Sequence, residues 1–330
     1  MTTQERAIIA AVGAGRMGRG VAIVFAYAGH PVRLIDVKHS RPTEDFDRLS
    51  KEAGTEIRAT LQMLVDLGLA PEGSVETIAS RITIVDREWA GGALADAAVI
   101  FEGVPETLEA KRDAFDLIGK AAPADAIVGS TTSTILTDEL QAMISHPERF
   151  LNAHWLNPAY LVPLVELSPG EKTDPAVVDR LKGLLEGIGK VPVVCKASPG
   201  YIVPRIQALA MNEAARLVEE GVATPEDIDK ATKYGFGFRF AVLGLLEFID
   251  WGGGDILFYA SRYMKDAMQD DRFAAPKIVE DNMAAGRIGL SARAGFLDYS
   301  DMDIDAYRKG RLAGFVDMLT LLGATRPPVL

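Results

Sequence analysis

Val12–Gly20 reads VGAGRMGRG, and Gly13, Gly15 and Gly18 give it the spacing G-x-G-x-x-G. A glycine pattern this short recurs by chance, so the residues around it decide its meaning. An apolar run precedes it, helical spacing follows it, and PVRLIDV reads as a second strand with Asp36 at its end. Strand, glycine turn, helix and strand form one βαβ unit, which is the context in which this spacing binds a dinucleotide.

The three glycines have separate expected roles in such a unit. The first makes the tight turn, the second lets the backbone approach a pyrophosphate, and the third lets the helix pack on the strand. At the end of the second strand, Asp36 is expected to accept hydrogen bonds from the adenosine ribose and to repel a 2′-phosphate, so we predict NAD rather than NADP. Lys38 and Arg41 lie close by and would weaken that preference unless they belong to a solvated loop.

The composition is that of a folded, acidic protein. Of 330 residues, 48% are hydrophobic and 25% charged. This length favours two domains, because single cores stop growing near about 250–300 residues. The net charge of −11 repels phosphate backbones and anionic lipids, so we expect a small-molecule substrate and neither nucleic acid nor membrane as partner. No apolar stretch approaches the roughly 18–20 residues of a membrane span.

Cysteine and histidine usage argues against disulfides and metal sites. Cys195 is the single cysteine, and the four histidines are scattered without metal-ligand spacing. We therefore predict a cytoplasmic protein without a bound metal. The apolar run AIIAAVGAG has no basic segment before it and leads into the glycine pattern, so it is expected to be a strand and not a signal peptide.

Strand and helix patterns alternate along the first part of the chain. This alternation predicts an α/β fold, a Rossmann-like doubly wound, mostly parallel sheet with helices on both faces, over residues 1–196. From SPGYIVPR onward the pattern is helical almost throughout, and TPEDIDKATKYG opens with a threonine cap and a first-turn proline. Residues 197–330 are therefore expected to form a second, all-helical domain.

Ligands bind outside the carboxyl ends of strands in open α/β sheets, and three polar stretches are expected there: STTS, AHWLNP and PLVE. His154 is a candidate base, and Glu166 on the following strand could fix its tautomer and raise its basicity. Ser133 could donate a hydrogen bond to a substrate oxygen. A buried core histidine and an ordinary turn serine are the alternatives.

Six motifs extend over nearly the whole chain: GAGRMG, FEGVPETLEAKR, STTST, HWLNPAYLVPLVE, SPGYIVPR and LVEEGVATPEDIDKA. Together they resemble the 3-hydroxyacyl-CoA dehydrogenase family, and especially its relatives of the L-gulonate 3-dehydrogenase (lambda-crystallin) type, which act on substrates without CoA. The resemblance implies that His154 is the general base, that Glu166 orients it and that Ser133 contacts the substrate oxygen.

The same resemblance implies further binding residues. Met17 belongs to the cofactor-binding turn, Glu106 and Lys111 are expected at the nicotinamide side of the cofactor, and Asn157 is expected to bind substrate. For Lys111 and Asn157 a helix-surface lysine and a loop cap remain as alternatives.

Two departures from the family bear on the substrate. Where the family commonly reads P-G-F-I-V-N-R, this chain has Pro204 in place of the asparagine, and proline offers no amide side chain. Where CoA-using members usually carry Pro-Met-Gly-Pro, this chain has RFAVLG, in which Arg239 could bind a free carboxylate or form a surface ion pair. In the segment 55–69, where CoA-binding members of the family use a basic residue against the nucleotide phosphates, this chain has no lysine, and Arg58 is the only cation.

These features predict an NAD-dependent oxidation of a secondary alcohol in a small 3-hydroxy acid, at a site between the two domains. A 3-hydroxyacyl-CoA dehydrogenase is the alternative enzyme, and an NAD-binding structural or sensor protein is the alternative of another class. The resemblance also implies that the second domain binds substrate and forms a dimer, as family members commonly do, so we expect a homodimer. The apolar stretches FAVLGLLEFIDW and YIVPRIQALA would lie in its interface, and internal core is the alternative.

Overall fold

The computed structural model describes residues 6–38, 43–326 and 328–329. Arg41, expected near the cofactor, lies outside the described residues. The chain folds as two compact units, Met1–Ala210 and Met211–Leu330.

Within the described residues, eight strands of the first unit form one sheet in the order β3-β2-β1-β4-β5-β6-β7-β8. They are β1 (Ile9–Val12), β2 (Val32–Asp36), β3 (Ile82–Asp86), β4 (Val99–Glu102), β5 (Ile127–Ser130), β6 (Phe150–Trp155), β7 (Leu164–Pro169) and β8 (Val191–Val194). All neighbours pair in parallel except β6 and β7, which are antiparallel. The predicted Rossmann-type, mostly parallel sheet is confirmed.

Helices cover both faces of this sheet. Successive strand residues point to opposite sides, so apolar residues at neighbouring positions make both faces apolar. In β1, Ile9 and Ala11 pack into one apolar cluster, whereas Ala10 and Val12 pack into another. Both clusters are buried, which explains why the strands are apolar at nearly every position rather than at alternate ones.

The helices of the first unit are α1 (Arg16–Tyr27), α2 (Thr43–Asp66), α3 (Val75–Ala79), α4 (Ala90–Leu94), α5 (Leu108–Ala121), α6 (Thr137–Gln141) and α7 (Pro175–Gly187), with α8 (Val203–Glu219) extending into the second unit. Short 3₁₀ turns occur at Arg87–Trp89 and Pro147–Arg149. Local chemistry sets the helix starts. Thr107 Oγ1 accepts from the amide of Ala110 at 3.3 Å, and Asp174 caps α7 with proline in its first turn.

The second unit is helical, as predicted. Its helices are α9 (Pro225–Ala231), a π-helical turn (Thr232–Phe236), α10 (Gly237–Val242), α11 (Leu245–Gly252), α12 (Gly254–Met268), α13 (Lys277–Ala284) and α14 (Ile304–Leu321), with 3₁₀ turns at Asp271–Phe273 and Leu290–Ala292. Thr224 caps α9 as expected. Among the described residues, no helix is both long and apolar enough to cross a membrane.

The expectation that PLVE marks the carboxyl end of a strand is wrong. Glu166 is the third residue of β7, and β7 runs antiparallel to β6, so the beginning of β7 lies beside the end of β6. The physical reason is chain length. Only residues 156–163 join the two strands, whereas a parallel crossover needs about a dozen residues or more.

Candidate functional site

The backbone of the turn between β1 and α1 packs so tightly that a side chain at two of its glycines would force neighbouring backbone atoms to move. Gly13 has φ +110°, and a Cβ there would lie 2.7 Å from the carbonyl oxygen of Gly103. A Cβ on Gly18 would lie 1.9 Å from the carbonyl oxygen of Gly13, whereas one on Gly15 would meet no atom within 4 Å. The turn is therefore tight at its first and third glycines and open at its second, where a dinucleotide pyrophosphate needs room.

Beside this turn lies a cavity of about 370 Å³, lined in part by Gly13, Gly15, Asp36 and Lys38. Asp36 ends β2, and its Oδ1 accepts a hydrogen bond from the amide of Lys38 at 3.3 Å. Met17 is half-buried and packs against the apolar core beneath the turn. An acidic residue at the far side of an open glycine cradle fits the adenosine end of NAD.

The most direct catalytic arrangement joins β6 to β7. His154 and Glu166 are register partners, and His154 Nδ1 lies 2.8 Å from Glu166 Oε2. His154 is 5% exposed and Glu166 fully buried. Because an ionised carboxylate only accepts hydrogen bonds, the imidazole carries its proton on Nδ1 and leaves Nε2 as a base.

Glu166 is also tied to the beginning of α8. Its Oε1 accepts hydrogen bonds from the amides of Ile202 at 2.9 Å and Val203 at 2.8 Å. The carboxylate therefore caps the N-terminus of α8, where negative charge is favoured. Pro204 is the second residue of α8, so its missing N–H removes no helical hydrogen bond and it serves as a first-turn residue.

A buried chain of charges begins at Glu102, which pairs with Val12 at the start of the glycine turn. Lys111 Nζ donates to both carboxylate oxygens of Glu102, at 3.1 and 3.0 Å, and both side chains are inaccessible to solvent. Ser130 Oγ donates to Glu102 at 2.6 Å, and Lys111 Nζ also lies 3.4 Å from Glu106 Oε2. Lys111 is thus not a helix-surface lysine, and it also forms an ion pair with Glu106.

Glu106 in turn holds the loop that carries Ser133. Its Oε1 accepts from the amide of Ser133 at 3.0 Å, from Thr134 Oγ1 at 2.9 Å and from Thr132 Oγ1. Burial alone would raise the pKa of Glu106, but the hydroxyl of Thr132 and the ammonium of Lys111 together lower it below its usual value. Ser133 itself is exposed, as a group that meets substrate must be.

The two predicted substrate-binding residues lie in different units. Asn157 is exposed and precedes Pro158 in a cis peptide bond, beside a cavity of about 450 Å³ that Arg16 and Thr60 also line. Arg239 is exposed on α10. Its Nε donates to the carbonyl of Gly235 at 3.0 Å, and no ion pair involves it in the described part of the chain.

Sequence reasoning missed two groups that the structure makes central. Glu102 ends the apolar strand VIFE, and a charged residue ending a buried strand was the available signal. Tyr201 stacks on the imidazole of His154, with ring centroids 4.8 Å apart and planes 5° apart. The feature of the sequence that could have identified Tyr201 was the motif PGY, where the family commonly has phenylalanine instead of tyrosine.

Chemically, the first unit offers an oriented imidazole base, an exposed serine hydroxyl and an open glycine cradle. No group of histidine, cysteine and acidic side chains in the described residues is arranged to hold a metal ion. This combination suits proton abstraction from an alcohol beside a dinucleotide.

Comparison with known families agrees with this geometry. Residues 8–198 match the family described as "3-hydroxyacyl-CoA dehydrogenase, NAD binding domain", and residues 200–299 match "3-hydroxyacyl-CoA dehydrogenase, C-terminal domain". The two matches follow one another and cover most of the chain.

Individual relatives extend over similar lengths. The chain is 32% identical over 317 residues to 5-formyl-3-hydroxy-2-methylpyridine 4-carboxylate 5-dehydrogenase of Mesorhizobium japonicum, covering 95% of this chain and 97% of that protein. It is 37% identical over 256 residues to the lambda-crystallin homolog of Bos taurus, covering 77% of each. The crystal structure of a 3-hydroxyacyl-CoA dehydrogenase from Archaeoglobus fulgidus matches with a TM-score of 0.76 and 29% identity, over 97% of this chain and 100% of that one.

The buried pair of Glu102 and Lys111 leads to a stability prediction. Glu102→Gln keeps the side-chain shape but leaves a buried ammonium without its main counter-charge, which costs about 3–5 kcal/mol. Urea unfolding should show this loss. As a matched control, Glu76→Gln removes one partner of the exposed pair with Arg58 and should leave the unfolding curve unchanged. An unchanged curve for Glu102→Gln would contradict the structural role of the pair.

Proposed function

Because the chain belongs to the 3-hydroxyacyl-CoA dehydrogenase family, whose first domain binds NAD, we propose that it oxidises the secondary alcohol of a small, free 3-hydroxy acid. The observation that carries this proposal is the 2.8 Å hydrogen bond between His154 Nδ1 and Glu166 Oε2, which leaves the other ring nitrogen as a base.

The chain's own groups divide the work of cofactor binding. The turn with Gly13, Gly15 and Gly18 would hold the pyrophosphate against the N-terminus of α1, and Asp36 the adenosine ribose. Bound NAD supplies the acceptor for the hydride that leaves the alcohol carbon. Glu106, supported by Lys111, would border the nicotinamide and hold the Ser133 loop in place.

Proton transfer is the task of His154. Its Nε2 takes the hydroxyl proton of the substrate as the hydride leaves the same carbon, so that a ketone and an imidazolium form. The carboxylate of Glu166 stabilises that imidazolium through the Nδ1 hydrogen bond. Ser133 donates to the substrate oxygen and holds it in line with the imidazole.

Three features support a free acid over a CoA thioester. Arg239 makes no ion pair within the described residues, which leaves its charge available to a carboxylate. Arg58, the one cation of residues 55–69, is bound through two hydrogen bonds to Glu76, at 2.8 and 3.1 Å. The relative from Mesorhizobium japonicum is named for a free carboxylate. The family description, which names 3-hydroxyacyl-CoA, supports the alternative of a CoA thioester.

We also propose a cytoplasmic homodimer formed through residues 197–330. In the described part of that region, α9, α10 and α14 contain no buried residue. Large apolar side chains are strongly exposed there, among them Leu209, Met211, Tyr263 and Leu321. Monomers rarely leave so much apolar surface in water, and a second copy would cover it.

Light scattering after size exclusion should give twice the mass of one chain, because the exposed apolar side chains favour association. A mass equal to one chain at micromolar concentration would rule out the dimer.

The role of His154 is tested by His154→Ala. Loss of a general base lowers kcat by about 10²–10⁴-fold, whereas NADH binding, followed by cofactor fluorescence, should be unchanged. His146→Asn is the matched control, because the His146 side chain is half exposed and, among the described residues, is hydrogen-bonded only to Glu148 at 3.2 Å. Asparagine tolerates the left-handed backbone of this position, where φ is +58°. Full turnover by His154→Ala would exclude the proposed mechanism.

The substrate class is tested by NADH formation over a panel of free 3-hydroxy acids and their CoA thioesters. With the best free acid, Arg239→Ala should raise KM about 10- to 100-fold, since it removes a charge-assisted hydrogen bond of about 1.5–3 kcal/mol. KM for the methyl ester of that acid should stay constant, and Arg308→Ala, on α14, should behave as wild type. Faster turnover of the thioesters would identify the alternative enzyme.

A further inference from the structure

We propose that Tyr201 is a positioning residue that holds the imidazole of His154 in its reactive orientation and links it to the loop that carries Ser133. This inference rests on the proposed function, because it assigns a task within the same reaction.

The ring of Tyr201 restricts the imidazole from one face. The two rings are nearly parallel, at 5°, with centroids 4.8 Å apart, and Tyr201 is only 6% exposed. The Nδ1 hydrogen bond to Glu166 fixes one edge of the imidazole but still permits rotation about that bond. A flat ring packed against the imidazole face removes that freedom. When the imidazolium forms, the negative face of the phenol ring also attracts its charge.

The hydroxyl of Tyr201 anchors the ring at its far end. It donates to the carbonyl oxygen of Thr132 at 2.8 Å and accepts from Asn152 Nδ2 at 3.0 Å. Thr132 and Asn152 are each 1% exposed, so these hydrogen bonds have no competition from water. Burial raises the pKa of Tyr201 above its usual value, which keeps the hydroxyl protonated as a donor.

The backbone at Tyr201 ties the same residue to Glu166. Tyr201 has φ +47°, in the left-handed region that a tyrosine rarely adopts, and the next two amides both donate to Glu166 Oε1. Residues adopt such strained conformations when the surroundings demand them. One residue therefore places a ring against the base while its neighbours hold the carboxylate that orients the base.

These contacts also exclude a proton-transfer role for Tyr201. Its hydroxyl is buried and occupied by Thr132 and Asn152, so it has no path to a substrate oxygen. Ser133 follows Thr132 directly, and the Tyr201 hydroxyl thus fixes the distance between the serine loop and the imidazole. A misplacement of about 1 Å in such a pair costs on the order of 100-fold in rate.

The first test measures imidazole order without any substrate. The ¹³Cε1 relaxation of His154, assigned with His154→Ala, should give an order parameter near 0.85 in wild type and in Tyr201→Phe. In Tyr201→Met, which fills similar space without a flat ring, the value should fall to about 0.6 or below. Equal values in all three proteins would overturn the proposal.

The second test is a double-mutant cycle on kcat with the best substrate. Tyr201→Met should lower kcat about 10- to 100-fold with KM for NAD unchanged, and Tyr201→Phe, which keeps the flat ring but loses the hydroxyl link to Thr132, should recover only part of that loss. In the His154→Ala background Tyr201→Met should cause a much smaller loss, because the imidazole is gone and only the link to the Ser133 loop remains. The same loss in both backgrounds would show a general structural role and overturn the proposal.

A control variant distinguishes a loss of imidazole order from a general loss of stability. Tyr299 is 1% exposed, and its hydroxyl lies 3.2 Å from Asp250 Oδ2, so Tyr299→Met removes an equally buried tyrosine from the second unit. It should lower the melting temperature and leave His154 order unchanged. If Tyr201→Met does not fold, Tyr201→Leu replaces it in both tests. If His154→Ala keeps its activity, the proposed function itself is wrong. If His154→Ala loses activity but the imidazole of Tyr201→Met stays ordered, only the inference about Tyr201 is wrong.

Discussion

The hydrogen bond between His154 and Glu166 depends on the one antiparallel pairing in the described sheet. The short connection after β6 turns the chain back, so β7 begins where β6 ends and the two side chains become register partners. Glu166 is fully buried, and a buried carboxylate without donors costs several kcal/mol. It is satisfied by three donors, the imidazole and the amides of Ile202 and Val203 where α8 begins. The same carboxylate therefore joins β6, β7 and α8 and sets the tautomer of the base.

A second electrostatic network supports the other side of the site. Glu102, Lys111 and Glu106 lead from the buried end of β4 to the loop at residues 132–134. The two networks meet at Thr132, whose hydroxyl donates to Glu106 and whose carbonyl accepts from Tyr201. The exposed Ser133 is thus held by buried groups on both sides, which is how a loop residue acquires a defined position.

Much of the fold could be predicted from local sequence because it depends on local chemistry. The glycine turn, the apolar strands and the caps at Asp174 and Thr224 each have short-range physical causes. His154, Glu166 and Ser133 were recognisable because motifs carry them. The direction of β7 was mispredicted, although the length of the connection contained the answer.

The contacts of Tyr201, Glu102 and Lys111 were beyond such reasoning. The hydroxyl of Tyr201 has partners far along the chain, such as Thr132, 69 residues away, whereas Lys111 and Glu102 are only 9 residues apart but lie on different elements. Long-range hydrogen bonds leave no periodic signal in the sequence, and a tyrosine or a lysine is equally compatible with an exposed position. Only the folded chain brings these groups together.

A crystal structure of the protein with NAD and a bound 3-hydroxy acid measures the central geometry most directly. We expect His154 Nε2 at about 2.6–3.2 Å from the substrate hydroxyl, with Nδ1 still on Glu166 and the alcohol carbon facing the nicotinamide. A substrate hydroxyl out of reach of His154, or an imidazole sealed from the nicotinamide, would contradict the assignment of the base and the redox chemistry built on it.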